Sequence, residues 1–227
     1  MTILEELMEY AWKCIKDIRV SEYEDYLSCQ KHKQVCRRFL QDIEKSEARN
    51  TLRDPFPYIW EEEEAERIVD WFALLRHSKG ELAGQPITLT LWQKFVLCQI
   101  YGWRHEETGR KRFKQSFIEV GRKNAKSQME AGVALYEIST QSTKNQEVYE
   151  YYTAGVKRDQ SKIIVNEAKL MLKGSPLRSK FKITRDLIEH IKTGSFLKAL
   201  CKEDGQKGDG TNPAGLILDE YHQHQTT

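Results

Sequence analysis

The chain has 227 residues, of which 39% are hydrophobic and 31% charged, and its formal net charge at pH 7 is +2. This composition is typical of a globular protein with a charged surface, and the balanced charge excludes a globally basic protein, so any nucleic-acid contact would need a local patch. No apolar run reaches the length of a membrane-spanning helix, and the acidic, amphipathic N-terminal stretch does not resemble a signal peptide.

Residues 1–50 contain neither glycine nor proline, and their apolar residues recur at helical spacing. This pattern predicts two or three amphipathic helices, which we interpret as a helical appendage over residues 1–55. The five scattered cysteines are an odd number and indicate a reduced, cytosolic protein. The spacing Cys29-x2-His32-x3-Cys36 fits no standard zinc site and lacks a second ligand pair, so it predicts no zinc.

Pro55 and Pro57 mark a break in the chain, and a helix follows that should end near Lys79 and Gly80. Its first turn is acidic from Glu61 to Glu64, which suits the positive end of the helix dipole and predicts a solvated face.

Residues 91–103 predict a further helix with one buried face, and Trp92 and Gln93 stand at its start. An indole can stack on a nucleotide base, and an amide can bond a base edge. The alternative is that the two side chains are core and cap.

The second half of the chain alternates between strand and helix patterns. Such a βαβ rhythm predicts a largely parallel sheet in a three-layer α/β fold. The turn Lys192-Thr193-Gly194 predicts a hairpin between two of the strands. The predicted elements are strand 115–120, helix 126–139, strand 147–154, helix 158–173, short strands 181–183, 187–191 and 195–200, and strand 215–219. The helix 158–173 should bury Ile163, Ile164, Ala168, Leu170 and Met171.

Residues 115–127, QSFIEVGRKNAKS, have the layout of a phosphate-binding loop, in which a strand leads into a loop and then into Lys-Ser at a helix N-terminus. Gly121, Lys126 and Ser127 fit the pattern, whereas Ala125 stands where the motif has its second glycine. A methyl group there costs about 1 kcal/mol if the backbone is left-handed. The alternative for this segment alone is a basic surface turn.

The apolar triplet 216–218 predicts a buried strand that ends in Asp219 and Glu220. Two acids at the end of a core strand are costly unless they have a role there. With the loop, they complete the set that nucleoside triphosphate hydrolysis needs, namely Lys126 on the phosphates, Ser127 and Asp219 on Mg²⁺, and Glu220 on the attacking water. Arg122 either acts on the γ-phosphate or, like Lys123, is a solvated loop charge.

These pieces, in this order, resemble the large terminase subunit of tailed bacteriophages, of the HK97-like kind, over about residues 60–227. The similar segments are ERIVDWFALLRHSKGELAGQPITLTLWQKFVLCQIYGW, IEVGRKNAKS, YYTAGVKRDQSKIIVNEAKLM and DGTNPAGLILDEYHQH. The resemblance implies a P-loop ATPase domain of the ASCE type over residues 60–227, preceded by the appendage, which powers packaging of viral DNA into procapsids.

In that family the Trp-Gln region lies near adenine, the R-K-N-G-K-[ST] loop is the Walker A motif, and D-E-x-H ends the Walker B strand. The resemblance implies that ATP and Mg²⁺ are the cofactors, that Ser127 and Asp219 hold the metal ion, and that Glu220 and Arg122 are catalytic. The implied nucleotide-binding residues are Gly121, Arg122, Lys123, Asn124, Ala125, Lys126, Ser127, Trp92 and Gln93.

The implied partners are double-stranded DNA, the portal protein and the small terminase subunit, with a homo-oligomeric ring on the portal and no membrane. The implied location is the cytoplasm of the infected bacterial host, transiently at the procapsid portal.

Two departures from the family keep alternatives open. Ala125 replaces a glycine, and the sequence ends seven residues after Glu220, before the family's coupling motif and nuclease domain, so no nuclease site is expected. The first alternative is a truncated, weakly active or inactive fragment that binds nucleotide or protein. A P-loop helicase-like or kinase-like enzyme is the second, although nothing in the chain supplies a site for another substrate.

Overall fold

A computed structural model describes residues 1–21, 26–49, 51, 55–155, 158–200 and 212–220 of the chain. The α-helices are α1 (Ile3–Lys16), α2 (Gln30–Glu47), α3 (Glu62–Leu74), α4 (Leu91–Gly102), α5 (Lys126–Tyr136), α6 (Ser142–Asn145) and α7 (Arg158–Leu172). A π-helical turn, Glu137–Gln141, joins α5 to α6, and a 3-10 turn, Arg178–Lys180, follows α7. The strands are β1 (Tyr58–Trp60), β2 (Trp103–His105), β3 (Glu150–Ala154), β4 (Phe181–Ile183), β5 (Leu187–His190), β6 (Phe196–Ala199) and β7 (Pro213–Leu218).

The chain divides into two compact units. Unit 1 comprises Met1–Asp70 and Leu89–Ile118, and unit 2 comprises Trp71–Thr88 and Glu119–Thr227. The division into residues 1–55 and 60–227 drawn from the sequence stays a prediction. None of the helices in the described ranges is long and apolar enough to cross a membrane.

Unit 1 contains the predicted N-terminal helices and adds to them a short ribbon. Helix α1 begins with a capping box between Thr2 and Glu5, and it packs against α2 and α4. Strands β1 and β2 pair in antiparallel register, which the sequence did not predict. Phe39 and Phe95 lie in edge-to-face contact, and Trp103 lies beside Phe39, so aromatic rings fill the core between the helices and the ribbon.

The predicted solvated face at Glu61–Glu64 is wrong for Glu64, which is only 3% exposed. Its Oε2 accepts a hydrogen bond of 2.7 Å from the guanidinium of Arg104, which is also buried. Arg67 pairs with the other carboxylate oxygen. A buried carboxylate needs such partners because its desolvation is otherwise strongly unfavourable.

Unit 2 is built on a five-stranded mixed sheet with strand order β4-β5-β6-β3-β7. Strand β3 pairs in parallel with both β6 and β7, whereas β4, β5 and β6 form an antiparallel meander. The predicted hairpin turn joins β5 to β6, and Gly194 there has the positive φ of 73° that favours glycine. The parallel arrangement expected from the βαβ rhythm is therefore confined to β6-β3-β7.

Helices α5 and α7 pack against each other, and α7 also lies against β3 and β6. Ile164, Ala168 and Met171 are buried as predicted, but Ile163 and Leu170 are 42% and 47% exposed, so the buried face of α7 is narrower than expected. Gly132 in α5 allows the ring of Phe72 to approach, since a Cβ at this position would lie 2.3 Å from Cε1 of that ring.

Two strand predictions need correction. Residues 115–120 form no strand, and Phe117 is 74% exposed, because no neighbouring strand in the described ranges offers hydrogen bonds to this segment. Strand β7 exists, but Leu216 and Leu218 are 50% and 41% exposed. Among the described strands β7 pairs with β3 only, so it is an edge strand rather than a buried one.

The histidine of the D-E-x-H segment, His222, lies outside the described residues.

Candidate functional site

The segment from Gly121 to Lys126 forms a compact loop that leads directly into α5. The side chain of Asn124 closes the loop, because its Nδ2 donates to the carbonyl oxygen of Gly121 at 3.0 Å and lies 3.4 Å from that of Arg122. Helix α5 then begins at Lys126, and the N–H of Met129 donates to the carbonyl of Ala125 at 3.0 Å. The loop and helix predicted from the sequence are therefore formed without the strand that was expected before them.

The backbone of this loop is left-handed at two residues that are not glycine. Lys123 has φ of 68°, and Ala125, the N-cap of α5, has φ of 56° and ψ of 27°. For an L-residue this conformation costs about 1–2 kcal/mol. Ala125 was expected to be strained if its backbone were left-handed, and its backbone is left-handed. Gly121, in contrast, has no positive φ.

The same backbone geometry suits an anion. The N-cap residue of α5, Ala125, makes no side-chain hydrogen bond to the first N–H groups of the helix, which are the groups that a helix leaves without an internal partner. Left-handed residues interleaved with other conformations turn successive N–H groups toward one point, which is the arrangement of an anion-binding nest. The helix dipole adds positive potential at the same end.

Asp219 and Glu220 follow β7 immediately, at the carboxyl end of a strand that runs parallel to β3. Asp219 is 5% exposed, and its Oδ1 accepts a hydrogen bond of 2.9 Å from the N–H of Glu220. Glu220 itself has φ of 53°, a strained conformation of the kind that clusters at functional sites.

Lys126 connects the two halves of the site. Its Nζ donates a hydrogen bond to Oδ1 of Asp219 and lies 3.5 Å from Oε1 of Glu220. Partial burial lowers the pKa of Lys126, but the hydrogen bond and charge of Asp219 outweigh it, so the pKa lies above its ordinary value. The loop lysine and the strand-end acids predicted from the sequence are therefore in direct contact.

Glu130 lies one turn after Lys126 in α5 and belongs to the site, although no sequence motif predicted it. Its Oε2 is shielded from solvent and has no hydrogen-bond partner among the described residues. Burial, followed by the charge of Asp219, raises the pKa of Glu130 to about 7. The one available signal was its position four residues after Lys126, which places both on one face of the helix.

The remaining predicted residues of unit 2 have ordinary surroundings. Ser127 is the second residue of α5 and is half-buried. Arg122 and Lys123 lie exposed on the loop. The exposed positions of Arg122 and Lys123 are compatible with a phosphate contact and also with solvated charges, so the roles of these two residues stay predictions.

Trp92 and Gln93 lie at the start of α4 in unit 1, whereas the loop before α5 belongs to unit 2. The Oε1 of Gln93 accepts a hydrogen bond of 3.0 Å from the N–H of Thr90, and the side chain is 8% exposed. Gln93 thus forms a capping interaction, which is one of the two alternatives considered for it. A contact of Trp92 or Gln93 with adenine stays a prediction.

The residues present fit a nucleotide phosphate with a divalent cation. The first N–H groups of α5 and the ammonium of Lys126 suit phosphate oxygens. The buried carboxylate of Asp219, the hydroxyl of Ser127 and the unpartnered Oε2 of Glu130 are the oxygen ligands that Mg²⁺ prefers.

Comparison with known proteins points to one family. The family model described as "Terminase large subunit, ATPase domain" matches residues 91–227. The crystal structure of the HK97 bacteriophage large terminase is similar in fold, with a TM-score of 0.56 and 24% identity, over 70% of this chain and 31% of that chain. The chain therefore spans less than a third of the protein it matches. No curated protein sequence matches it.

The left-handed Ala125 yields a prediction about stability. Ala125→Gly should raise the free energy of unfolding by about 1 kcal/mol, because glycine adopts this conformation without the Cβ clash. Ala73→Gly, at an exposed position in α3, is the matched control and should lower it by about 0.5–1 kcal/mol. Urea unfolding measures both changes, and equal destabilisation by the two variants would contradict the left-handed assignment.

The raised pKa of Glu130 predicts a pH dependence. Between pH 4.5 and 7 the folded protein binds more protons at this carboxyl than the unfolded chain does, so stability falls as pH rises through that interval. Glu130→Gln should remove this loss, on the order of 2–3 kcal/mol, and should be more stable than wild type at pH 8 but not at pH 4.5. Unfolding titrations across this range test it, with the exposed Glu119→Gln as control. A Glu130→Gln curve parallel to that of wild type would refute the assignment.

Proposed function

Because the chain belongs to the family of terminase large-subunit ATPase domains, we propose that it binds Mg·ATP at the loop 121–127 and hydrolyses it with the help of Asp219 and Glu220. The observation that supports this most is the contact between Lys126 and Asp219. It joins the phosphate-loop lysine to the acid at the strand end, and these are the two groups that a P-loop ATPase places on opposite sides of its bound phosphates and metal ion.

Each residue then has a distinct role. Lys126 and the first N–H groups of α5 bind the phosphates, and Ser127 with Asp219 would hold Mg²⁺. Mg²⁺, when bound, neutralises charge on the phosphate oxygens. Glu220 orients and deprotonates the attacking water, a contribution of about 10²–10⁴ in rate. Arg122, on the exposed loop, would act on the γ-phosphate, and an arginine in that role contributes roughly 10³–10⁵ in rate.

The Lys126–Asp219 pair also implies an exchange of partners. In this structure the ammonium of Lys126 and the carboxylate of Asp219 satisfy each other. Phosphate oxygens would take over Lys126, and the metal ion would take over Asp219, so neither charge is left buried and unpaired in either state. Glu130 lies close enough to influence Lys126 and Asp219 electrostatically, and its ionisation would add a negative charge for the cation.

A second candidate function is a nucleotide-binding or protein-interaction module with weak or no turnover. The strained N-cap supports it, because Ala125 puts a methyl group where the family's loop has glycine, beside the place where phosphate approaches. Turnover by the wild type at a rate that depends on Glu220 separates the two candidates.

At the level of the whole protein, we propose that ATP hydrolysis powers packaging of double-stranded viral DNA into the procapsid. The partners are the portal protein and the small terminase subunit, a homo-oligomeric ring on the portal is the working assembly, and the host cytoplasm is the location. Membership of the terminase large-subunit ATPase family supports this proposal.

Two substitutions test the site. Lys126→Ala should abolish Mg·ATP binding, because the phosphates lose their cation, whereas Glu220→Gln should bind Mg·ATP like wild type but hydrolyse it at least about 100-fold more slowly. Calorimetry measures binding, and phosphate release measures turnover. Lys173→Ala, an exposed lysine of the same unit, is the control. Wild-type behaviour of both site variants would show that the site is elsewhere.

Binding to duplex DNA should depend steeply on salt. A chain with a net charge of +2 can bind the phosphate backbone only through a local basic surface, and the affinity should then fall linearly on a log–log plot against salt concentration. Fluorescence anisotropy with a labelled duplex measures the slope. A slope near zero would count against DNA as a partner of this chain, whatever the outcome of the ATP experiments.

A further inference from the structure

Three metal-ligating side chains meet between α1 and α2 in unit 1. Cys14 projects from α1, and His32 and Cys36 stand one turn apart on the same face of α2. One ligand atom from each residue lies within 4.8 Å of both others. Cys14 and Cys36 are 1% and 0% exposed, whereas His32 is half-buried.

The donor set suits a thiophilic cation. Two thiolates and an imidazole are ordinary ligands of Zn²⁺, at about 2.3 Å from sulfur and about 2.0–2.1 Å from nitrogen, so neighbouring ligand atoms in a tetrahedral site are roughly 3.5–3.8 Å apart. The observed cluster is within reach of that geometry by small side-chain rotations. Hard cations such as Mg²⁺ prefer oxygen ligands and do not fit.

Zn²⁺ binds cysteine as the thiolate, so a cation entering the cluster would displace the thiol protons of Cys14 and Cys36 to solvent.

A further contact resembles the support that metal-bound imidazoles receive. The hydroxyl of Tyr10 lies 3.0 Å from Nε2 of His32, and the two rings meet edge to face. Phe95 packs against both rings. Such hydrogen bonds fix the orientation and tautomer of an imidazole that binds metal.

We propose that Cys14, His32 and Cys36 form a Zn²⁺ site that joins α1 to α2, with a water molecule as the fourth ligand. The spacing Cys29-x2-His32-x3-Cys36 predicted no zinc, and Cys29 is indeed exposed and does not belong to the cluster. The ligand that completes the set is Cys14, on the preceding helix. The site uses unit 1 residues only and shares none of them with the candidate nucleotide site.

The test uses the full chain, reduced with a phosphine so that no added thiol competes for metal. Loading with Co²⁺ should produce the sulfur-to-cobalt charge-transfer band and the intense visible bands of a tetrahedral complex, and one equivalent of Zn²⁺ should bleach them. Elemental analysis after dialysis against Zn²⁺ should find one ion per chain.

Cys14→Ser and Cys36→Ser should each weaken Zn²⁺ binding at least about 100-fold, and Tyr10→Phe by about 10–100-fold. Cys29→Ser is the matched control and should bind like wild type.

Alkylation of the wild-type protein provides a second measurement that needs no variant to fold. Zn²⁺ should slow the labelling of Cys14 and Cys36 but leave that of exposed Cys29 unchanged. The proposal is overturned if Co²⁺ gives only the weak spectrum of an octahedral complex, or if Cys29→Ser loses binding as the other variants do. It is also overturned if Cys14 and Cys36 form a disulfide in air and the reduced protein binds no metal.

Discussion

The ammonium of Lys126 and the buried carboxylate of Asp219 neutralise each other at the end of β7, and the geometry of the candidate site depends on that pairing. Desolvating a carboxylate costs several kcal/mol unless an opposite charge or hydrogen bonds offset it. Asp219 has both, from Lys126 and from the N–H of Glu220. Asp219 follows the carboxyl end of β7, which runs parallel to β3, and Lys126, the first residue of α5, reaches Asp219 there.

Three of the five described non-glycine residues with a positive φ lie around the same contact. Lys123, Ala125 and Glu220 all have φ between 53° and 68° although none of them is glycine. Such conformations persist where the surrounding contacts determine them, and they cluster where a ligand is bound. In this chain the left-handed residues stand at the start of α5 and at Glu220, whose Oε1 lies 3.5 Å from Nζ of Lys126.

In unit 1, too, buried charged and polar groups are accompanied by partners. Glu64 and Arg104 are both almost fully buried, and each is tolerated because the other is present. Cys14, His32 and Cys36 are a second polar cluster inside an apolar surrounding of Tyr10 and Phe95. In both cases helices or strands far apart in sequence bring together groups that would be unfavourable alone.

The sequence by itself determined the elements whose cause is local. The loop that precedes Lys126 and Ser127, the acids after β7 and most helices follow from short-range patterns, and these motifs in order led to the terminase resemblance that the family match confirms. Only the tertiary structure decided what depends on neighbours: that residues 115–120 lack a strand partner, that Leu216 lies on an exposed edge, and that Glu130 is desolvated beside Asp219. The physical reason is that hydrogen-bond pairing, burial and pKa depend on distances between residues remote in the chain, which local periodicity does not encode.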